Sequence, residues 1–216
     1  MTKRSFLKQQ VLMSLNEKLK VYGFKFKKFG DSFLQDTELG WNMLSIVFLT
    51  SSTGWNIRPG LLIRFNLVEN LFHQISSFEE KYQKGTPTLG TSIEGLNING
   101  PASRFELTEE TQIDMVADKL FELFKSVGIP FFDQYKDFHT VERAINQDTN
   151  ETHLTGPIFK GTKGLILAKI LDHKDFKTLE EKYLYYYKNF SNGFYLSEYI
   201  RLTELLRDNY QDSWKE

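Results

Sequence analysis

The sequence predicts an α+β fold, in which an N-terminal helix packs on an antiparallel sheet and a mostly helical half follows. Three observations support this prediction. Apolar residues recur at three- and four-residue steps near the N-terminus, which is the spacing of an amphipathic helix. Apolar and polar residues then alternate between turn residues, as they do in half-buried strands. Helical spacing returns in the second half of the 216 residues, so strands and helices are segregated along the chain.

The opening helix is predicted over residues 5–22, because Leu7, Val11 and Leu15 share one helical face. Gly23 is a typical residue to end such a helix. The helix is therefore expected to cover one face of the sheet that follows.

About four antiparallel strands are predicted next. In the first, Phe24 and Phe26 alternate with Lys25 and Lys27, which places the phenylalanines inward and the lysines outward. The other three strands are predicted to open at Phe33, to span 41–50 and to span 55–68.

Residues 69–84 are predicted to form a short helix, and a segment with regularly spaced glycines follows it. Gly85, Gly90, Gly95 and Gly100 recur at five-residue intervals, and glycine supplies the positive φ that turns need. The segment is therefore predicted to be an irregular loop or one more short hairpin. Its spacing is not that of a phosphate-binding loop, and a mobile flap over a surface is the functional alternative.

Five helices are predicted in the second half. The first begins after Thr108 and is stopped by Gly128 and Pro130. The others are predicted at 131–146, at 163–173, from 178 onwards and at 195–209. The change in composition near residue 103 predicts a sheet lobe over 1–103 and a helical lobe over 104–216, with one continuous domain as the alternative.

Composition excludes several classes of function. The chain has no cysteine, which excludes disulfides, thiolate metal sites and a cysteine nucleophile. Its net charge is −1, so overall charge does not attract nucleic acid or an anionic membrane. Its apolar runs are too short to cross a bilayer. A cytoplasmic protein without a cofactor or a metal ion is therefore expected.

Two histidines are the candidates for catalysis. His139 and His153 flank a polar loop, and Glu142 and Glu151 are close to them in sequence. Folding could gather these groups around a general base or a metal ion, whereas the alternative is a solvated histidine at a helix end. No histidine pair has the spacing of a zinc site, and no nucleophile elbow is present.

Charge is segregated along the chain. Lysine and arginine dominate the first 28 residues, and acidic residues dominate 106–122. Lys25, Lys27 and Lys28 could form a contact surface for nucleic acid, but mutual packing of the basic and acidic segments, or binding of a protein partner, is favoured.

A tyrosine-rich helix offers a second contact surface. The helical spacing predicts that Leu179, Tyr183 and Tyr186 share a core face. Tyr185 and Tyr187 then point elsewhere and are candidates for an exposed contact surface.

The first 80 or so residues resemble the small bacterial proteins that share domain of unknown function 4304. The resemblance rests on Leu15 and Leu19 in the first helix, on Gly23-Phe24-Lys25, on Phe33, and on the strands at 41–48 and 55–65. It implies an α+β fold and no particular activity. A non-enzymatic protein-binding module of regulatory or immunity type is the favoured interpretation. The alternative is an enzyme of unrecognised type, with its site near the 85–100 loop and His139 or His153.

Overall fold

The computed structural model describes residues 2–28, 30–96, 103–147 and 154–208. A long helix opens the chain, an antiparallel sheet follows, and most of the remaining helices come after it, so the fold is α+β as predicted. The strands are β1 (Lys25–Lys27), β2 (Ser32–Thr37), β3 (Gly40–Thr50), β4 (Trp55–Phe65), β5 (Leu89–Ser92) and β6 (Phe105–Leu107). The helices are α1 (Lys3–Leu19), α2 (Asn66–His73), α3 (Glu80–Gln83), α4 (Ile93–Leu96), α5 (Ile113–Leu123), α6 (Ile129–Gln134), α7 (Phe138–Asn146), α8 (Pro157–Ile170), α9 (Phe176–Asn189) and α10 (Leu196–Asp208).

The described strands form one sheet in the order β1-β2-β3-β4-β5, and β6 also pairs with β4. β5 pairs antiparallel with the Gly60–Ile63 part of β4, and β6 pairs antiparallel with its Trp55–Ile57 part. β1 is therefore an edge strand. It pairs antiparallel with β2, with Phe26 opposite Phe33.

The chain divides into two compact units, and both are discontinuous in sequence. The sheet unit contains Met1–Arg64 and Leu89–Tyr135, and the helical unit contains Phe65–Thr88 and Lys136–Glu216. This division differs from the expected boundary at residue 103. The reason is strand pairing, because β5 returns to β4 and brings the following residues back into the sheet unit.

Several local predictions differ from the structure. The helix predicted over 131–146 is divided into α6 and α7, and the helix predicted over 69–84 is divided into α2 and the short α3. The strand expected over 55–68 ends at Phe65, and α2 begins at Asn66. Gly128 and Pro130 do not stop the helix that contains α5. Instead, the backbone passes through a π-helical turn at Phe124–Gly128 into α6, whose first turn contains Pro130. Proline is tolerated there because the first N–H groups of a helix have no partner within that helix.

The helical unit is packed around α8, which contacts α2, α7, α9 and α10. Two glycines allow the closest approaches. A Cβ atom built on Gly161 would lie 2.6 Å from the ring of Tyr187, and one on Gly164 would lie 2.9 Å from the Tyr183 hydroxyl. Side chains at these positions would clash with α9, so the glycines set the distance between α8 and α9.

Candidate functional site: a basic groove and two buried polar clusters

A groove lies between α1 and the β1–β2 hairpin in the sheet unit. Its volume is about 620 Å³. We call it the basic groove and define it by the following lining residues: Lys8, Leu12, Met13, Phe26, Lys28 and Asp31. The helix supplies its wall because Leu7, Val11 and Leu15 face the core, which leaves Met13 at the border with solvent.

The floor of the basic groove is apolar and partly exposed. Phe26 lies on the same face of the sheet as Phe33, and the two ring centroids are 5.4 Å apart. Because β1 is an edge strand, no further strand covers Phe26, which is 37% exposed. Met13 is 55% exposed. The expectation that both Phe24 and Phe26 point into the core therefore holds for Phe24 alone.

The basic groove and the neighbouring edge strand β1 carry three lysines that have no acidic partner among the described residues. Lys8 forms an ion pair with Asp31. The predicted contact residues Lys25, Lys27 and Lys28 are all exposed, and none of them forms an ion pair with another residue of the described ranges. The positive charge at this edge of the sheet is therefore available to a ligand.

The acidic segment at 106–122 also belongs to the sheet unit. It packs on the basic segment, because α1 contacts α5 and Lys18 Nζ lies 2.7 Å from Asp118 Oδ1. A second depression of about 560 Å³ has Glu106, Met115 and Glu122 in its lining. We call it the acidic groove. Its lining also contains Asp118, Arg104 and Lys119, so acidic side chains outnumber basic ones in it by three to two.

The two tyrosines predicted to form a contact surface lie in different environments. Tyr185 is 73% exposed, whereas Tyr187 is fully buried, so the prediction is wrong for Tyr187. The core face of α9 is formed by Leu179, Tyr183 and Tyr187, at steps of four residues. The Tyr187 hydroxyl donates to the Ile158 carbonyl oxygen at 2.6 Å, which satisfies its polar end inside the core.

Burial of three tyrosines makes the helical unit sensitive to alkaline pH. The pKa values of Tyr183, Tyr187 and Tyr199 are raised from 10.0, mainly because burial disfavours the phenolate. Below pH 10 both folded and unfolded chains keep these protons. Above it the unfolded chain releases protons that the folded chain retains, so the free energy of unfolding falls as the pH rises.

We expect urea unfolding midpoints to decrease from about pH 9.5 to about pH 11, in the range where free tyrosine ionises. Tyr187→Phe should make this decrease less steep, because it removes one of the three ionisations. Tyr185→Phe is the matched control on the same helix and should leave the slope unchanged. Equal slopes for all three proteins would contradict this assignment.

The first buried polar cluster lies in the helical unit around Glu69 on α2. Glu69 is fully buried, and Lys163 Nζ on α8 lies 2.9 Å from its Oε1 atom. The Lys163 ammonium also donates to the Pro87 carbonyl oxygen. It lies 5.4 Å from the Phe72 ring centroid and 5.2 Å from that of Phe159, within cation–π distance of both.

The second oxygen of Glu69 belongs to a hydrogen-bond chain. Thr86 Oγ1 donates to Glu69 Oε2 at 2.8 Å. His73 Nε2 lies 2.7 Å from Thr86 Oγ1, and His73 Nδ1 lies 2.8 Å from Ser76 Oγ. Thr86 comes from the glycine-containing segment where the alternative enzyme site was expected, but the histidine that it contacts is His73.

The second buried polar cluster contains the predicted candidate Glu142. Asn146 Nδ2 donates to Glu142 Oε1 at 2.7 Å and to the Gly164 carbonyl oxygen at 3.0 Å, and the Tyr183 hydroxyl donates to Asn146 Oδ1 at 2.6 Å. The histidine nearest to Glu142 in this network is His173, whose Nε2 is 3.7 Å from Glu142 Oε1.

The expected grouping around His139 is not formed by the described residues. His139 is exposed in the first turn of α7, whereas Glu142, three residues further along the same helix, is buried. The other two candidates, His153 and Glu151, lie outside the described residues. Sequence reasoning missed Glu69 and Lys163. The available signal was that Glu69 and His73 are four residues apart on an otherwise apolar helical face.

The described residues contain no cluster of three or more His, Asp or Glu side chains that could hold a metal ion. Within the same part of the chain, no helix combines the length and the apolar character needed to span a bilayer. Comparisons with protein-family models, with curated proteins and with solved structures found no match. The resemblance to domain of unknown function 4304 therefore stays a prediction.

Proposed function

We propose that this chain is a protein-binding module of regulatory or immunity type, which binds an acidic segment of another protein in the basic groove. The observation that supports this most is the exposure of Met13 and Phe26 in a groove whose one unpaired charged lining residue in the described chain is Lys28. Neither a cofactor nor a metal ion is needed for such a role.

The apolar floor would supply the affinity. Burial of apolar surface contributes about 25 cal/mol per Å², and a few central anchors contribute most of the binding energy in protein interfaces. Met13 is unbranched and adapts its shape to different ligands. Phe26 is held by its tilted ring contact with the buried Phe33. Together they form a surface for one or two bulky apolar side chains of a partner.

The lysine rim would select the partner by charge. Lys28 lines the groove, Lys25 and Lys27 alternate with Phe26 on the adjacent edge strand β1, and Asp31 is already paired with Lys8. Complementary rim charges mainly raise the association rate and exclude partners of like charge. An acidic peptide with apolar side chains matches both the floor and the rim. A nucleic acid would use the lysines and leave the apolar floor without a role.

The test uses a fluorescent peptide in which Leu and Trp alternate with Glu, measured by fluorescence anisotropy. We expect the full chain to bind this peptide. Met13→Glu and Lys28→Glu should each weaken binding by at least about tenfold, the effect of losing about 1.4 kcal/mol. Added salt should weaken binding mainly through the association rate.

Met115→Glu is the matched control, because Met115 is a similarly exposed methionine in the acidic groove. This variant should bind the peptide as the unmodified chain does. Equal binding of a peptide with Lys in place of Glu would overturn the proposal. So would tighter binding of single-stranded RNA than of the acidic peptide.

A further inference from the structure

The hydrogen-bond chain of the helical unit leads from the buried Glu69 carboxylate to the partly exposed Ser76 hydroxyl. Its members are Glu69, Thr86, His73 and Ser76, joined by contacts of 2.7 to 2.8 Å. Three come from α2 and the residues after it, and Thr86 follows α3. A serine, an imidazole and an acceptor in series is the arrangement that activates nucleophilic hydroxyls in proteins.

The proton positions follow from the available donors and acceptors. The Thr86 hydroxyl has one proton, and it lies 2.8 Å from Glu69 Oε2 and 2.9 Å from the Gln83 carbonyl oxygen. The carboxylate and the carbonyl can only accept, so the Thr86 proton points to one of them, and its oxygen accepts from His73 Nε2–H. In a neutral imidazole the other nitrogen is then an acceptor. Ser76 Oγ–H therefore donates to His73 Nδ1.

The His73 ring is shielded from solvent, whereas the Ser76 hydroxyl is accessible. The side chain of His73 is 5% exposed, whereas Ser76 is half-buried. Glu69 Oε2 on the same helix lies 3.9 Å from His73 Nε2, and the other oxygen of Glu69 pairs with Lys163 on α8. The Glu69 carboxylate therefore already has a cationic partner that is not His73.

A donor for a developing oxyanion is also present in the chain. In serine hydrolases the N–H of the residue after the nucleophile contributes to the oxyanion hole. Here that residue is Ser77, and within the described ranges its N–H donates no hydrogen bond. It is therefore free to stabilise negative charge on an oxygen bound next to Ser76.

We propose that Ser76 is a nucleophile for activated acyl esters, with His73 as its general base and with Thr86 and Glu69 as positioning residues. Ser76 Oγ attacks the ester carbonyl carbon while its proton passes to His73 Nδ1. The bond from that carbon to the alcohol oxygen then breaks, and His73 returns the proton to the leaving alcohol. Water attacks the acyl-serine in the same way and regenerates the hydroxyl. This site is in the helical unit and is independent of the binding function proposed for the sheet unit.

The test is labelling of the full chain by a fluorophosphonate, followed by peptide mass spectrometry. Ser76 Oγ would attack phosphorus, and fluoride would leave. The proton of the Ser76 hydroxyl would pass to His73 and then to solvent. We expect one phosphonate per chain, attached to Ser76, and no labelling of Ser76→Ala. Labelling of His73→Gln should be at least about 100-fold slower, because general-base catalysis typically raises a rate by at least that factor. Hydrolysis of p-nitrophenyl acetate should be lost in the same variants.

Ser197→Ala is the control and should label normally, because Ser197 is an exposed serine on α10 of the same unit and has no part in the proposed site. The pH profile of the unmodified chain provides a second readout that does not depend on the folding of a variant. The labelling rate should rise with pH and reach a plateau when His73 is neutral. A rate that keeps rising with hydroxide concentration, label on Ser77, or no label at Ser76 would overturn the proposal.

Discussion

Replacing Lys163 by methionine is expected to lower the free energy of unfolding by about 3–5 kcal/mol, the usual cost of removing one partner of a buried ion pair. The physical reason is that Glu69 is fully buried and the Lys163 ammonium is 2.9 Å from its carboxylate. Methionine fills a similar volume between Phe72 and Phe159. The loss in free energy of unfolding therefore measures the removal of the charge and not the creation of a cavity. Urea unfolding followed by circular dichroism measures it.

Two comparisons separate this effect from a general effect of removing lysine. Lys81→Met removes an exposed lysine that pairs with Glu79, and we expect it to cost less than about 1 kcal/mol. The double variant Glu69→Gln/Lys163→Met removes both buried charges and keeps an acceptor for Thr86. It should recover more than half of the stability lost in Lys163→Met. A loss below about 1 kcal/mol in Lys163→Met would show that this ion pair is not buried.

Replacing Gly164 by alanine is the second large effect, with an expected loss of about 1–3 kcal/mol or more from overpacking. The added Cβ atom would overlap Asn146 Oδ1, and would lie 2.9 Å from the Tyr183 hydroxyl and 3.0 Å from Ile145. It would therefore separate α8 from its neighbours and disrupt the Asn146 hydrogen bonds. The alanine also favours helix by about 1 kcal/mol, so a net loss measures the packing conflict.

Gly85→Ala is the control for the change in chain entropy. Gly85 is exposed, and the only contact found for an added Cβ is the Tyr82 carbonyl oxygen at an ordinary 3.5 Å. This variant should be neutral or slightly stabilising, because alanine reduces the freedom of the unfolded chain. Thermal unfolding of the two variants side by side gives the comparison. If Gly164→Ala were as stable as Gly85→Ala, the close packing of α8 described above would be wrong.

Local periodicity was sufficient for most helices and strands. The face of α1 that contains Leu7, Val11 and Leu15 is buried as predicted, and the β1–β2 pairing follows the alternation of Phe and Lys. These elements could be predicted because each one buries a surface that its own residue spacing defines.

Periodicity was not sufficient where two faces of one helix are both aromatic. On α9 the spacing is compatible with a core face through Tyr186 or through Tyr187, and the structure buries Tyr187. The choice depends on α8, whose Gly161 leaves space for the Tyr187 ring and whose backbone N–H at Thr162 donates to its hydroxyl at 3.2 Å. Neither contact can be derived from the sequence of α9.

The sequence by itself determined the fold class, the order of the first helix and the first four strands, and the lysine-rich edge at Lys25, Lys27 and Lys28. Only the tertiary structure decided that Glu69 pairs with Lys163, that His73 lies between Thr86 and Ser76, and that Phe26 remains partly exposed beside Met13. The physical reason is the distance along the chain between the residues that make contact. Spacing along the chain governs contacts within a helix or a strand pair, whereas the partners of a buried charge are chosen by which distant segments pack against it.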